Sequence, residues 1–223
     1  MLKSIWFIFK TEILIHIHRS KTWLYPLCFF FIVMILFPFA FTPDPLFLKK
    51  WIPGCIWIAA LFSNLLSIDS FLLNDLEDSH LEQLLLSQLP LPFVLLIKLF
   101  VQWIISILPI IMMTPVIGLW FHLSFSTIKI LGLSLLVGTP CLTLISSLGV
   151  VLTLGLRQQG MLLCLLILPL IVPILIFGTS ITQQASVNLS TSGPLLFLAG
   201  LSLFAATCLP FAMAATLRMS CDD

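Results

Sequence analysis

Long apolar runs alternate with short polar interruptions along most of this chain. Runs over about residues 24–41, 51–73, 93–120, 128–154, 161–181 and 194–217 can each cross a bilayer as a helix, since about 20 apolar residues span the hydrocarbon core. The interruptions carry turn chemistry: Thr42-Pro43-Asp44-Pro45, the polar stretch His122 to Thr127, Arg157-Gln158-Gln159-Gly160, and Thr182 to Gly193. Residues 1–23 are also apolar, yet Lys3, Lys10 and Lys21 fall on one helical face near Ser4, Thr11 and His18. That stretch predicts a helix lying in the membrane interface, or else a cytoplasmic extension of the first span. The pattern as a whole predicts an all-α integral membrane protein with six transmembrane helices, an N-terminal interfacial helix of about residues 1–23, and one transmembrane domain over 1–223.

The interruption between spans two and three, about residues 74–92, differs from the rest. Asp69, Asp75, Glu77, Asp78 and Glu82 make up five of the nine acids in the chain. Ser79-x-x-Glu82 is a capping box: the hydroxyl accepts a backbone N–H and the carboxylate reaches back to another. Leu81, Leu84 and Leu85 then share a face, with Gln83 between them, and Pro90 stops the helix. If the region is instead one continuous helix, Asp75, Asp78 and Glu82 form a stripe roughly opposite Leu73, Leu76 and Leu84. Either arrangement presents carboxylates and leucines together at the membrane surface. An anionic leaflet repels acids, so a protein that grips this elbow accounts for them better than lipid does. Asp69 lies close to the predicted boundary, where it reads equally as an intramembrane functional acid or a solvated one.

Composition narrows the function classes. The chain is 60% hydrophobic and 9% charged, with a mean hydropathy of +1.20, whereas a soluble domain is about a quarter charged. Its formal net charge of +1 comes with no basic, aromatic-interleaved patch, so nucleic acid is not an expected partner; the lipid bilayer is. The six cysteines form no C-x-x-C pair, and no metal or resident cofactor is expected. The charges preceding the first long run argue against a cleavable signal peptide. His16 and His18 are two apart and chelate poorly, while His122, alone at the end of span three, reads as a polar anchor. No phosphate-binding loop G-x-x-x-x-G-K-[ST] and no hydrolase signature is present. The expectation is therefore a transport subunit and not an enzyme, with ATP bound by another chain.

Lysine and arginine placement sets the expected orientation. With the N-terminus inside, Lys3, Lys10, Arg19, Lys21, Lys98, Arg157 and Arg218 are cytoplasmic and Lys49, Lys50 and Lys129 are not, seven against three. Both termini and the acidic elbow are then cytoplasmic.

Several short blocks carry a resemblance. They include Leu36-Phe37-Pro38, Pro53-Gly54-Cys55-Ile56-Trp57, Leu81-Glu82-Gln83-Leu84 with Leu89-Pro90-Leu91-Pro92 and Lys98, Gly138-Thr139-Pro140, and Leu166-Ile167-Leu168-Pro169 with Pro173. In order and spacing the chain resembles the CcmB permeases of cytochrome c maturation, across nearly its whole length. The resemblance implies an ABC-2 type permease of the bacterial inner membrane. It implies pairing with the CcmA ATPase, a complex with CcmC and CcmD, and action on the haem chaperone CcmE. Haem is then handled by the complex, and Asp75, Glu77, Asp78, Leu81, Glu82, Gln83, Leu84 and Leu85 are the ATPase-coupling residues. Two mechanisms remain open: a permease that drives haem loading or release, or a non-transporting scaffold that passes ATPase strokes to a haem-handling partner. A second copy is also implied, and Ala59, Ser63 and Ser67, an i, i+4, i+8 row, are the expected face toward it, in preference to the alanines of span six.

Overall fold

The computed structural model describes residue 10 and residues 13–14, 21–40, 45–77, 90–153, 159–187 and 189–221. Six helices follow one another: α1 Lys21–Ala40, α2 Pro45–Glu77, α3 Leu91–Trp120, α4 Phe125–Thr153, α5 Gln159–Ser186 and α6 Ser192–Cys221. Each is long and apolar enough to cross a membrane, and the chain is a multi-pass membrane protein. The six correspond one to one with the six apolar runs. The proposed interfacial helix of about residues 1–23 lies outside the described residues, apart from isolated positions and the first turn of α1.

Helix ends move outward from the expected boundaries for local reasons. α4 begins at Phe125, not near Ile128, because Ser124 caps it: the Thr127 N–H donates to Ser124 Oγ at 3.3 Å. α2 runs on through Asn74, Asp75 and Glu77, so these belong to the last turn of a long helix and not to a separate elbow. Residues 78–89, including Asp78, Leu81, Glu82, Gln83, Leu84 and Leu85, lie outside the described residues.

α4 is the central element and packs against α2, α3, α5 and α6. Seven of its serines and threonines are buried (Thr127, Ser134, Thr139, Thr143, Ser146, Ser147 and Thr153). A hydroxyl survives there by donating to its own helix one turn back, as Thr139 does to the Leu135 carbonyl at 2.7 Å and Ser147 to the Leu144 carbonyl at 2.8 Å. α2 shows the same inward polarity. Ile58, Phe62 and Leu66 face out while Ser63, Asn64 and Ser67 are buried, the reverse of a water-soluble amphipathic helix.

The close approach of α2, α4 and α5 centres on Trp57, which is fully buried. Its ring lies between Gly138 of α4 and Gly178 of α5. A β-carbon on Gly138 would stand 2.6 Å from Trp57 Cη2, and one on Gly178 would overlap the indole. Glycine is required at both positions by this contact.

Candidate functional site

Where α2, α3 and α4 meet, side chains that are individually unremarkable in a membrane helix become a connected polar seam. Asn64 of α2 bridges to α4 twice. Its Nδ2 donates to Ser146 Oγ at 3.1 Å and its Oδ1 accepts from Thr143 Oγ1 at 2.9 Å. One turn on, Ser67 Oγ donates to Ser106 Oγ of α3 at 2.6 Å. Gln102 Nε2 reaches Ser106 Oγ at 2.9 Å and also contacts Ser67 Oγ. Trp103 Nε1 donates to Thr139 Oγ1 at 2.9 Å and ties α3 to α4. Asn64, Ser67, Gln102, Ser106 and Ser146 are all at most 1% exposed.

The seam is not fully satisfied. Gln102 Oε1, Ser63 Oγ and Trp57 Nε1 are buried without a hydrogen-bond partner among the described residues. A buried polar atom left unpaired costs on the order of 1–3 kcal/mol, and more than one such group beside a hydrogen-bonded cluster marks a packing that is not at its polar optimum. Lys98 is 7% exposed, close to the start of α3. It thus brings a cation to the inward face on the same side as the acidic end of α2.

The residues expected to couple to an ATPase divide into two sets. Asp75 and Glu77 are on the final turn of α2; the others lie outside the described residues. The row expected to face a second copy is misplaced. Ala59 and Ser63 are 0% exposed and Ser67 is 1% exposed, because α2 turns its small and polar residues into its own protomer. Of the competing alanines on α6, Ala212 and Ala215 are exposed while Ala205 and Ala214 are buried. The sequence reading singled out Ser63 and Ser67 of span two, as part of a row toward a second copy. It missed Gln102, Thr143 and Ser146, whose partners lie 35, 79 and 82 residues away.

His122 closes the end of α3 in an unusual backbone conformation. It follows α3 with φ +58°, the one positive-φ residue other than glycine among the described residues. Its N–H donates to the Leu119 carbonyl at 3.1 Å and the next N–H, of Leu123, to the Gly118 carbonyl at 2.9 Å. This is a Schellman closure with histidine where glycine is usual.

Comparison with known proteins finds matches over nearly the whole chain. The family model described as CcmB protein matches residues 3–220. "Heme exporter protein B" of Haemophilus influenzae is 42% identical over 216 residues, covering 97% of this chain and 98% of that protein. The protein of the same name from Pseudomonas aeruginosa is 44% identical over 198 residues, 89% of each chain. That from Escherichia coli is 41% identical over 215 residues, 96% of this chain and 98% of its own. With a family model that matches residues 3–220 and relatives that match it nearly from end to end, the chain belongs to the CcmB family.

Proposed function

We propose that this chain is the membrane permease subunit of an ATP-driven assembly that handles haem in cytochrome c biogenesis, worked through residues of about 74–92 by a separate ATPase. The observation that carries the reading is the continuity of α2. It is one helix of 33 residues, about 50 Å long at 1.5 Å per residue, against a hydrocarbon core of about 30 Å. Its acidic last turn and its seam residues Ser63, Asn64 and Ser67 share this one rod. A push at the acidic end therefore reaches the seam without an intervening loop.

The names of the relatives supply haem as the substrate class. The sequence lacks a phosphate-binding loop, so ATP is bound and hydrolysed by the partner, which the family resemblance identifies as CcmA. CcmC, CcmD and the haem chaperone CcmE complete the assembly, together with a second copy of this chain. Lysine and arginine placement supports a bacterial inner-membrane protein with both termini and the acidic end of α2 in the cytoplasm. The scaffold mechanism is favoured by one observation: the seam is hydrogen-bonded shut across α2, α3 and α4.

Charge reversal tests the reading. Glu82→Lys removes the carboxylate of the predicted capping box and inverts the proposed contact charge. The variant is expected to insert normally, to lose the ATPase during co-purification, and to stop haem transfer to CcmE. Retention of both the ATPase and haem transfer at wild-type levels would refute the proposed contact.

A further inference from the structure

We propose that the groove between α3, α4 and α6 holds one acyl chain of a phospholipid, and that this tail buttresses the polar seam from the lipid side.

The groove has a volume of about 190 Å³ and is lined by Leu96, Phe100 and Trp103 of α3, Thr143 of α4 and Ala206 of α6, among others. Its walls are short where Ala206 brings only a methyl group and Pro140 of α4 only its ring. The lining positions lie well inside their helices and not at the ends, which puts the groove at the depth of the hydrocarbon core. Phe100 is 48% exposed and belongs to the outer wall that a multi-pass membrane protein turns to lipid. The groove is thus an indentation in the surface that already contacts the bilayer.

Chemistry and size select the occupant. No polar surface lines the groove. The two lining side chains that carry polar atoms direct them elsewhere: Thr143 Oγ1 bonds Asn64 Oδ1 at 2.9 Å, and Trp103 Nε1 donates to Thr139 Oγ1 at 2.9 Å. Water and lipid headgroups therefore find no partner in it. A transmembrane helix is about 10–12 Å across with its side chains and is too wide to enter, whereas a run of methylene groups is not. An empty groove would leave its walls without dispersion partners, and the bilayer supplies hydrocarbon at this depth. Phe100 and Trp103 stack with ring centroids 5.7 Å apart and planes 20° apart, so α3 offers the tail a flat aromatic wall.

The place of the groove gives the tail a role. Trp103 ties α3 to α4 and Thr143 ties α2 to α4. Both are nearly buried, at 8% and 2% exposed, and each turns its polar atom to the seam and an apolar surface to the groove. With a tail in place these side chains are packed from both sides; without one they are packed from the seam side alone. Occupancy of the groove is therefore coupled to the two hydrogen bonds that close the seam onto α4.

The experiment compares tryptophan emission of the full-length protein in phosphatidylglycerol nanodiscs whose acyl chains are ordinary or brominated, since bromine quenches an indole that it touches. Subtracting the emission of Trp103→Phe isolates Trp103. Its contribution is expected to be largely lost in brominated lipid, although the residue is nearly buried. Ala206→Phe fills the groove from α6 and Leu96→Phe from α3; in either, the Trp103 contribution is expected to return. Ala212→Phe, on the lipid-facing side of α6, is expected to leave the quenching as in wild type. Thermal unfolding verifies that each variant is folded. Stripping phospholipid with detergent is expected to lower the wild-type midpoint by about 2–4 °C more than that of Ala206→Phe, whose ring takes the place of the tail. An unquenched Trp103 in the wild-type chain overturns the site, and so does undiminished quenching in both folded filling variants. Equal loss of midpoint on delipidation overturns the buttressing role. If Trp103 is quenched in the isolated chain but protected in the assembled complex, a partner's side chain fills the groove there and the inference is wrong.

Discussion

The indole of Trp57 occupies the space that a methyl group on Gly138 or Gly178 would need, so neither position accepts a side chain without a shift. Gly178→Ala forces the ring, or α5, to move, and overpacking of this kind costs about 1–3 kcal/mol. Thermal unfolding in detergent is expected to fall accordingly, with a changed tryptophan emission; an unchanged midpoint would mean that the three helices are looser than described. Asn64 makes a second residue-scale test. A double-mutant cycle between Asn64→Leu and Thr143→Val isolates their bond. Interhelical hydrogen bonds in membranes average about 0.6 kcal/mol and reach about 1.7, so a coupling energy in that range is expected, and a value near zero would remove Asn64 from the seam. Ser63 and Ser67 on α2 were legible in the sequence because hydroxyls stand out within an apolar run. Their partners were not, because single serines and threonines are ordinary in membrane helices and the pairing joins distant parts of the chain. The conformation of His122 was hidden for a related reason: the signal for a left-handed closure is glycine, and histidine gives none.

At the scale of elements, apolar length alone predicted all six helices, since a bilayer imposes a minimum span and tolerates little else. Their ends were less legible because caps such as Ser124 and the continuation of α2 through Glu77 extend helices beyond the apolar stretch. That continuation puts Asp75 and Glu77 on the final turn of α2. Leu72→Pro places a break between the seam and the acidic turn, removing a backbone hydrogen bond at about 3 kcal/mol or more. The ATPase is expected to remain bound while haem transfer to the chaperone fails, as measured by covalent haem on CcmE. Continued transfer would show that α2 need not be rigid.

For the whole molecule, the buried row Ala59, Ser63 and Ser67 moves any self-contact away from the face the sequence favoured. Small residues pack helices closely whether the partner is the same chain or another copy, so the i, i+4 spacing could not distinguish the two. In a background without native cysteines, Ser63→Cys is expected to resist a membrane-permeant maleimide, and Ala212→Cys on the exposed side of α6 to react. Efficient disulfide crosslinking between Ser63→Cys chains would restore the original placement. The position of α4 at the centre has a bearing on biosynthesis. The chain is made from its N-terminus, so Asn64 enters the membrane with α2 while Thr143 and Ser146 are still untranslated. Ser67 gains Gln102 and Ser106 once α3 follows, but Asn64 waits for the fourth span. A nascent chain stalled after α3 carries an unpaired amide in lipid, which gives an insertase reason to retain it and a quality-control protease a means to distinguish it from a finished protein.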